Sequence, residues 1–488
     1  MTVIQVKDWV PDGADLANPG SIEIVNAVPG LNSYKPFGQL VTITNALDAR
    51  PRGAIEEKDS AGNVFQYVGN ATKLYELVGT TWTDISISGG YSTGTDENWE
   101  FARWKEQIIA TNFTDDPQEI TLDGVIFANL TTDLRFRHVA VVRDFVVAGN
   151  TFDGVDGNVS HRLRWSAFND ATDWTVSPVT LADFRDLNKG GPILKIIGGD
   201  FGVIVSEKST WRMTFIGSPA VFDIAEVIPG VGALASGAVT LLGDTVYMWS
   251  EHGFVSLQGG VNPQFIGAGR VDKFLRDDLD QNHLNRISSV ADPESGRIFW
   301  AYPGAGNTDG RPNKIAVYDR ILNKWGYIEQ DVEILWRAGG VATTLEALDS
   351  ISSSIDALGI PLDSSQWKGG SPVLAGFDST FKNGNFTGGP MTAIVTTKEA
   401  EITAGRRTQL NSFRPLVDGG TVTAKIGTRD NQSDDVVFTS ELTQTSSGRF
   451  TKRKNARYHR FQLICADGWK DAIGVAVERD DARPAGGR

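Results

Sequence analysis

The sequence repeats one local pattern seven times, and this repetition limits the folds that the chain can adopt. A short apolar run ends at a polar turn and a second apolar run follows, as in "DFVVAGN" at 144–150 and "RLRWS" at 162–166. The separations between successive runs are 43, 37, 58, 43, 52 and 75 residues. The runs begin near Phe65, Ile108, Phe145, Val203, Val246, Ile298 and Val373. Runs of this length and composition, bounded by turn residues, predict β-strands joined as hairpins.

A period near 45 residues with two hairpins per unit suits a four-stranded blade. Several units also end in a strand that carries tryptophan, such as Trp82, Trp174 and Trp325. An isolated hairpin is only marginally stable in water. Blades gain stability by stacking around an axis, with large aromatic side chains between neighbours. The pattern therefore favours an all-β chain with a β-propeller of about six to seven blades.

The pattern alone leaves two other all-β architectures open. The spacing is uneven and the units share little identity, so tandem β-sandwiches and a solenoid also fit. The 53 glycines and the scarcity of long helical periodicity agree with any of the three. One segment departs from the pattern, because the apolar residues of 271–287 have the spacing of a short amphipathic helix.

Changes in composition divide the chain into four parts. We expect an N-terminal arm or platform segment at 1–50 and the propeller at 51–387. A Ser-rich segment at 341–370 reads as a loop insertion into the propeller, because a loop this long is usually functional or disordered. The alternating strands of 388–480 predict a C-terminal β-sandwich-like platform domain, and 481–488 a flexible tail.

Composition excludes several classes of site. The net charge of −14 argues against a surface built to hold nucleic acid, which would neutralise phosphates with Lys and Arg. No apolar stretch approaches the ~20 residues of a membrane helix, and we expect no signal peptide. Cys465 is the only cysteine, so no internal disulfide and no Cys-based zinc site can form. These features fit synthesis in a bacterial cytoplasm.

One basic cluster stands out in this acidic chain. It lies in "RFTKRKNARYHR" at 449–460, and its central residues Lys452, Arg453, Lys454 and Arg457 are the candidate interface or phosphate-contact patch. Arg449 and Arg460 flank them. The alternative is a solvated hairpin whose charges balance the nearby Asp434 and Asp435, because only Tyr458 could act as a stacking platform for bases.

No catalytic, cofactor or metal-binding residue is predicted. The loop 150–160 brings hard oxygen ligands together in sequence, but its spacing departs from a calcium loop and Asp and Asn also form such turns unaided. The five histidines form no metal-binding motif. The segment "GTTW" at 79–82 matches a sialidase turn only in part, because Leu77 occupies the position of its aspartate.

Several stretches resemble one protein family. They include "NPGSIEIVNAVPGLNSYKPFGQL" at 18–40, "RLRWSAFNDATDWT" at 162–175, "ILKIIGGDFGVIVSEKSTWRMTF" at 193–215 and "YHRFQLICADGW" at 458–469. Together they resemble the tail nozzle proteins of short-tailed bacteriophages, also called tail tubular protein B or packaged-DNA stabilisation protein. The likeness runs along nearly the whole chain and includes no catalytic signature.

The resemblance implies a structural protein of the virion tail and no enzyme. Nozzle proteins form a homohexameric ring below the head–tail adaptor ring. Genomic DNA crosses the ring during ejection without sequence-specific binding, tail fibres or spikes dock outside, and a needle or gate closes the distal end. The alternative is a carbohydrate-acting or glycan-binding β-propeller of a phage tail, resembling a depolymerase. Neither function needs a cofactor or a membrane segment.

Overall fold

The computed structural model describes residues 2–13, 20–339, 352, 354, 372–477 and 482–484, with backbone only for 482–484. Within these residues the secondary structure is almost entirely antiparallel β-sheet. Five strands precede the first complete blade. They are β1 (Thr2–Gln5), β2 (Ile24–Val25), β3 (Ala27–Pro29), β4 (Tyr34–Pro36) and β5 (Val41–Ala46).

Seven four-stranded antiparallel blades then follow one another along the described chain. Six of them are separate sheets, and the sixth blade is part of a larger eleven-stranded sheet. Blade one contains β6 (Gly53–Lys58), β7 (Val64–Gly69), β8 (Leu74–Val78) and β9 (Thr81–Asp84). Blade two contains β10 (Glu100–Trp104), β11 (Gln107–Thr111), β12 (Gln118–Thr121) and β13 (Ala128–Asn129). Blade three contains β14 (Leu134–Val142), β15 (Phe145–Asp153), β16 (Gly157–Trp165) and β17 (Asp183–Asp186).

The next three blades continue the order. Blade four contains β18 (Ile193–Ile197), β19 (Gly202–Ser206), β20 (Ser209–Gly217) and β21 (Val221–Pro229). Blade five contains β22 (Val239–Leu242), β23 (Thr245–Ser250), β24 (Gly253–Gln258) and β25 (Asn262–Phe265). Blade six contains β26 (Ser288–Asp292), β27 (Arg297–Tyr302), β28 (Lys314–Asp319) and β29 (Lys324–Glu329).

Blade seven is built from both ends of the propeller segment. Its first three strands are β30 (Leu335–Gly339), β31 (Pro372–Phe377) and β32 (Lys382–Asn385). Its outer strand is β5, which pairs with β32 and lies within the segment 1–50 that the sequence places outside the propeller. Joining the two ends of a ring in one sheet leaves no open gap between the first and last blades.

The first strands of neighbouring blades contact one another around a closed circuit. β6 contacts β10, and the contacts continue through β14, β18, β22, β26 and β30 back to β6. The predicted β-propeller is therefore confirmed, with seven blades in the described residues. This closure excludes the tandem sandwiches and the solenoid.

The seven apolar runs found in the sequence all lie on the second strand of a blade, from β7 to β31. These strands are packed against neighbouring blades on both faces, so they read as continuous apolar runs. All six residues of β23 are buried, for example, as are the first seven of β15.

The helical segment is shorter than the sequence predicts. The α-helix α1 spans Asp272–Asp278, and a separate 3-10 helix spans Gln281–Arg286. A further 3-10 helix spans Ser236–Ala238. Leu275, Leu279 and Ile287 are buried as the apolar pattern requires, whereas Phe274 is 37% exposed. Leu279 has extended backbone angles, which ends α1 and breaks the predicted single helix.

The C-terminal platform consists of two facing sheets. Its remaining strands are β33 (Ala393–Thr396), β34 (Thr408–Asp418), β35 (Thr421–Arg429), β36 (Val437–Phe438), β37 (Leu442–Thr443), β38 (Phe450–Ala456), β39 (Tyr458–Ala466), β40 (Asp471–Val477) and β41 (Ala482–Pro484). One sheet has the order β2-β33-β39-β35-β36, and the other contains β4-β40-β34-β38. Phe413 and Phe461 meet between the two sheets at 4.7 Å. The predicted sandwich-like platform is thus present.

The turn between β34 and β35 carries the chain from one sheet to the other. Gly419 and Gly420 have φ of +69° and +72°, the left-handed region that glycine adopts without strain. A Cβ on Gly420 would also lie 2.5 Å from the carbonyl oxygen of Ala466. The two glycines are required by this crossover.

Two predicted segments fall largely or partly beyond what the structure describes. The loop insertion at 341–370 lies outside the described residues, apart from Ser352 and Ser354. Of the tail at 481–488, the backbone of 482–484 pairs with β34, and the rest is outside the described part. None of the helices that are described is long and apolar enough to cross a membrane.

Candidate functional site: a basic edge strand and an axial cavity

The predicted basic patch lies on β38, at the edge of the platform sheet. Lys452 and Arg453 are exposed and Lys454 is half-buried, and none of the three forms an ion pair in the described chain. Arg457, just beyond the strand, pairs with Glu401 at 2.7 Å. Exposed Lys and Arg on an edge strand prevent it from pairing with other strands. Three cations that no described residue neutralises therefore lie along one edge of the sheet.

Arg460 belongs to a different environment. It shares the buried Glu399 with Arg429, at 3.1 Å and 2.9 Å respectively. All three side chains are at most 6% exposed. Asp434, which was expected to balance the basic cluster, instead accepts hydrogen bonds from Asn431. Arg460 is therefore a core ion-pair residue and is not part of the exposed patch.

The acidic loop at 150–160 is engaged by arginines of its own blade. Arg162 pairs with Asp156 at 2.5 Å and with Asp186 at 2.7 Å. Asp153 accepts the backbone N–H groups of residues 155 and 156 and pairs with Arg164 at 3.4 Å. Among the residues described, no three His, Cys, Asp or Glu side chains are grouped to hold a metal ion. The loop is thus a salt-bridged turn in this structure.

A cavity that the sequence did not predict lies at one mouth of the propeller axis. It has a volume of about 210 Å³. Its lining comes from residues that precede or lie on the first strands of six blades, and these first strands come together around the axis. The charged lining residues are Arg50, Arg52, Glu100, Lys195, Arg286 and Glu333.

Arginines dominate one side of this axial cavity. Arg52 donates to the carbonyl oxygens of Thr93 and Gly94, in the loop that leads to blade two. Arg286 pairs with the buried Glu333 at 2.6 Å. Burial together with the positive charges of Arg286 and Arg52 lowers the pKa of Arg50 to about 10. The cavity therefore concentrates positive charge in a chain that is strongly acidic overall.

The other side holds a buried charge cluster. Glu100 on β10 accepts from Lys195 on β18 at 3.1 Å and contacts Nδ1 of His138 on β14 at 3.0 Å. Burial alone would raise the pKa of Glu100, but the charges and hydrogen bonds of Lys195 and His138 outweigh it and lower this pKa to about 2. This cluster ties the inner strands of blades two, three and four together.

The Glu100 cluster predicts a pH-dependent stability. The folded pKa of Glu100 lies below its ordinary value of 4.5, so its contribution is complete above pH 4.5 and is lost as pH falls towards 2. We expect Glu100→Gln to lower the free energy of unfolding by about 3 kcal/mol at pH 7 and by much less at pH 3. Urea unfolding at both pH values measures this difference. Glu294→Gln, at an exposed position, is the matched control and should change neither value. An equal loss at both pH values would contradict the role of Glu100.

The axial cavity has no local sequence signal. Arg50 and Arg52 lie in the loop before β6, whereas Arg286 ends a 3-10 helix 236 residues after Arg50, and each reads alone as an ordinary surface charge. Only the closed ring brings them together. The basic patch on β38 was recognisable because its residues are contiguous in sequence.

Among known proteins, similarity is found only to solved structures. No sequence-family profile and no curated protein matches this chain. Similar solved structures include the Pan2 WD40 domain of Neurospora crassa, with 7% identity, a TM-score of 0.39, and coverage of 73% of this chain and 96% of that one. A chain of the mitotic checkpoint complex has 8% identity and a TM-score of 0.38, covering 73% and 96%. BBS1N in complex with ARL6DN has 9% identity and a TM-score of 0.37, covering 73% and 97%. Because these identities and TM-scores are low, the assignment of the fold depends on the strand pairing described above.

Proposed function

We propose that this chain is the subunit of a hexameric tail nozzle of a short-tailed bacteriophage. It acts as a structural element of the virion rather than an enzyme. In this role six copies form a ring below the head–tail adaptor, DNA passes between them, and fibres or spikes dock outside. The observation that supports the proposal most, beside the sequence resemblance, is the continuous sheet that joins the propeller to its platform.

That sheet runs without interruption from blade six into the platform. β29 pairs with β3 at Tyr327 and Ala27, and β4 pairs with β40 at Tyr34 and Ala472. The result is one eleven-stranded sheet that contains blade six and half of the sandwich. A joint made of paired backbone resists bending better than a single linker. It suits a wall that must bear the pressure of a packaged genome.

Side chains reinforce the same joint. The buried hydroxyl of Tyr34 accepts from the backbone N–H of Trp9 at 2.8 Å and donates to the carbonyl of Trp325 at 3.1 Å. Burial is also the main reason that the pKa of Tyr34 is raised, so the hydroxyl keeps its proton. The N-terminal segment, blade six and the platform are thereby held in one arrangement.

The DNA path in this proposal lies between subunits. The axial cavity of about 210 Å³ is far too small for a duplex, so the propeller axis is not the conduit. The net charge of −14 suits a conduit for a polyanion, because a basic wall would hold each phosphate. A ring whose channel lining is strongly basic would contradict this part of the proposal.

The assembly state tests the proposed function. Full-length protein mixed with the adaptor ring is expected to give particles with six copies of this chain, seen by mass photometry and by negative-stain microscopy. The control is the same protein without the adaptor, which shows whether assembly needs it. A chain that stays monomeric with the adaptor would contradict the nozzle proposal. A chain that degrades host polysaccharide, and loses that activity on carboxylate substitution, would support the carbohydrate-acting alternative.

A further inference from the structure

The axial cavity contains hydrogen-bond donors that lack acceptors. Nε of Arg52, Nε of Arg286 and Oγ of Ser289 are buried and have no partner in the described structure. Arg50, beside them, forms neither an ion pair nor a side-chain hydrogen bond within the described chain. Buried donors are nearly always satisfied in native proteins. Four lining residues therefore offer donors to a group that the described residues do not supply.

The charge balance at this side of the cavity is also incomplete. Glu333 pairs with Arg286 at 2.6 Å and with Arg311 at 2.7 Å, and Asp309 pairs with Arg311 at 3.0 Å. Arg50 and Arg52 have no carboxylate at ion-pair distance among the described residues. Across the cavity, the carboxylate of Glu100 already forms an ion pair with Lys195. Asp96 attracts both arginines from beyond ion-pair distance, and positive charge remains in excess among the lining residues that the structure describes.

We propose that the axial cavity binds a phosphate-class oxyanion, held by Arg50, Arg52, Arg286 and Ser289. The donors come from blades one and six, which lie on either side of blade seven in the ring. A tetrahedral dianion presents oxygens in several directions and carries the charge that the cavity lacks, whereas a carboxylate has two oxygens in one plane. Guanidinium groups match phosphate oxygens in pairs. The cavity volume accommodates a phosphate group with ease.

This site is independent of the proposed nozzle function. A bound oxyanion would link the loops that precede β6 and β26, and so fix two blades at the axis. The phosphate could be free inorganic phosphate or the terminal phosphate of a larger ligand. Both share the same chemistry, and the experiment separates them.

Calorimetric titration of the full-length protein with inorganic phosphate tests the site. We expect saturable binding to the wild type and a loss of affinity of about tenfold or more in Arg50→Gln. Arg50 has no partner within the described residues, so Arg50→Gln should leave folding intact. Ser289→Ala is a second variant. It removes only one neutral donor and should weaken phosphate binding less than Arg50→Gln does. Arg185→Gln, an exposed arginine on β17, is the matched control and should bind phosphate like the wild type.

Titration with other ligands shows whether the site takes free phosphate or the terminal phosphate of a larger ligand. Equal binding of adenosine 5′-phosphate and phosphate, with none of adenosine, supports a site open to larger ligands. Binding of phosphate alone supports a site for the free ion. Acetate that binds as tightly as phosphate would overturn the choice of oxyanion. Absent binding, or equal binding to the wild type and to Arg50→Gln, would overturn the site itself.

Discussion

Trp300→Ala is expected to lower the free energy of unfolding by about 3–5 kcal/mol, the range for removal of a fully buried tryptophan. Trp300 lies on β27 and is fully buried. Its ring packs on Phe254 of blade five at 4.8 Å, and its Nε1 donates to the carbonyl of Ala238 at 3.1 Å. The substitution therefore removes ring contacts and a hydrogen bond that hold blades five and six together. Denaturant unfolding followed by circular dichroism measures the effect.

Two further variants separate the effect of the lost ring contacts from the effect of the lost hydrogen bond. Trp300→Phe keeps an aromatic ring but loses the donor, so we expect a loss of about 1–3 kcal/mol. Phe265→Ala removes an aromatic side chain that is 48% exposed on β25, and its effect should stay within about 0.5 kcal/mol. If Trp300→Ala were no worse than Phe265→Ala, the inter-blade aromatic contacts would not be a main source of stability.

Thr44→Val is expected to weaken the closure of the ring. The hydroxyl of Thr44 on β5 accepts from the backbone N–H of Asn383 at 3.0 Å and from Nε1 of Trp82 at 3.3 Å. Valine keeps the shape of the side chain but leaves both buried donors unsatisfied. Each unsatisfied donor costs roughly 1–3 kcal/mol, so the attachment of β5 to blades seven and one should weaken, although its backbone pairing with β32 remains.

Thr44→Ser is the matched control, because it keeps the hydroxyl and removes only a methyl group. We expect it to lose about 1 kcal/mol or less. Hydrogen exchange of the Asn383 amide gives a local measurement, and it should be much faster in Thr44→Val than in Thr44→Ser. Equal stability and equal exchange in the two variants would show that the hydroxyl does not secure the closing strand.

The sequence alone determined the repeating part of this fold. The second strand of each blade is packed on both faces, so burial imposes a continuous apolar run such as Phe145–Val147 that can be read without a structure. Turn residues between the runs then fix hairpins, and hairpins that cannot bury themselves alone must stack. The contiguous basic residues from Lys452 to Lys454 were equally visible, because adjacent residues on one strand stay together in any fold.

Tertiary structure alone decided the features that join distant parts of the chain. β5 reads as a weak polar strand, with Thr42, Asn45 and Ala46 exposed, and only pairing with β32 places it in blade seven. Arg50 and Arg286 are 236 residues apart, and the closing of the ring brings both to the axial cavity. The physical reason is the same in both cases. Burial leaves a periodic pattern along the chain, whereas non-local pairing and convergent charges leave none.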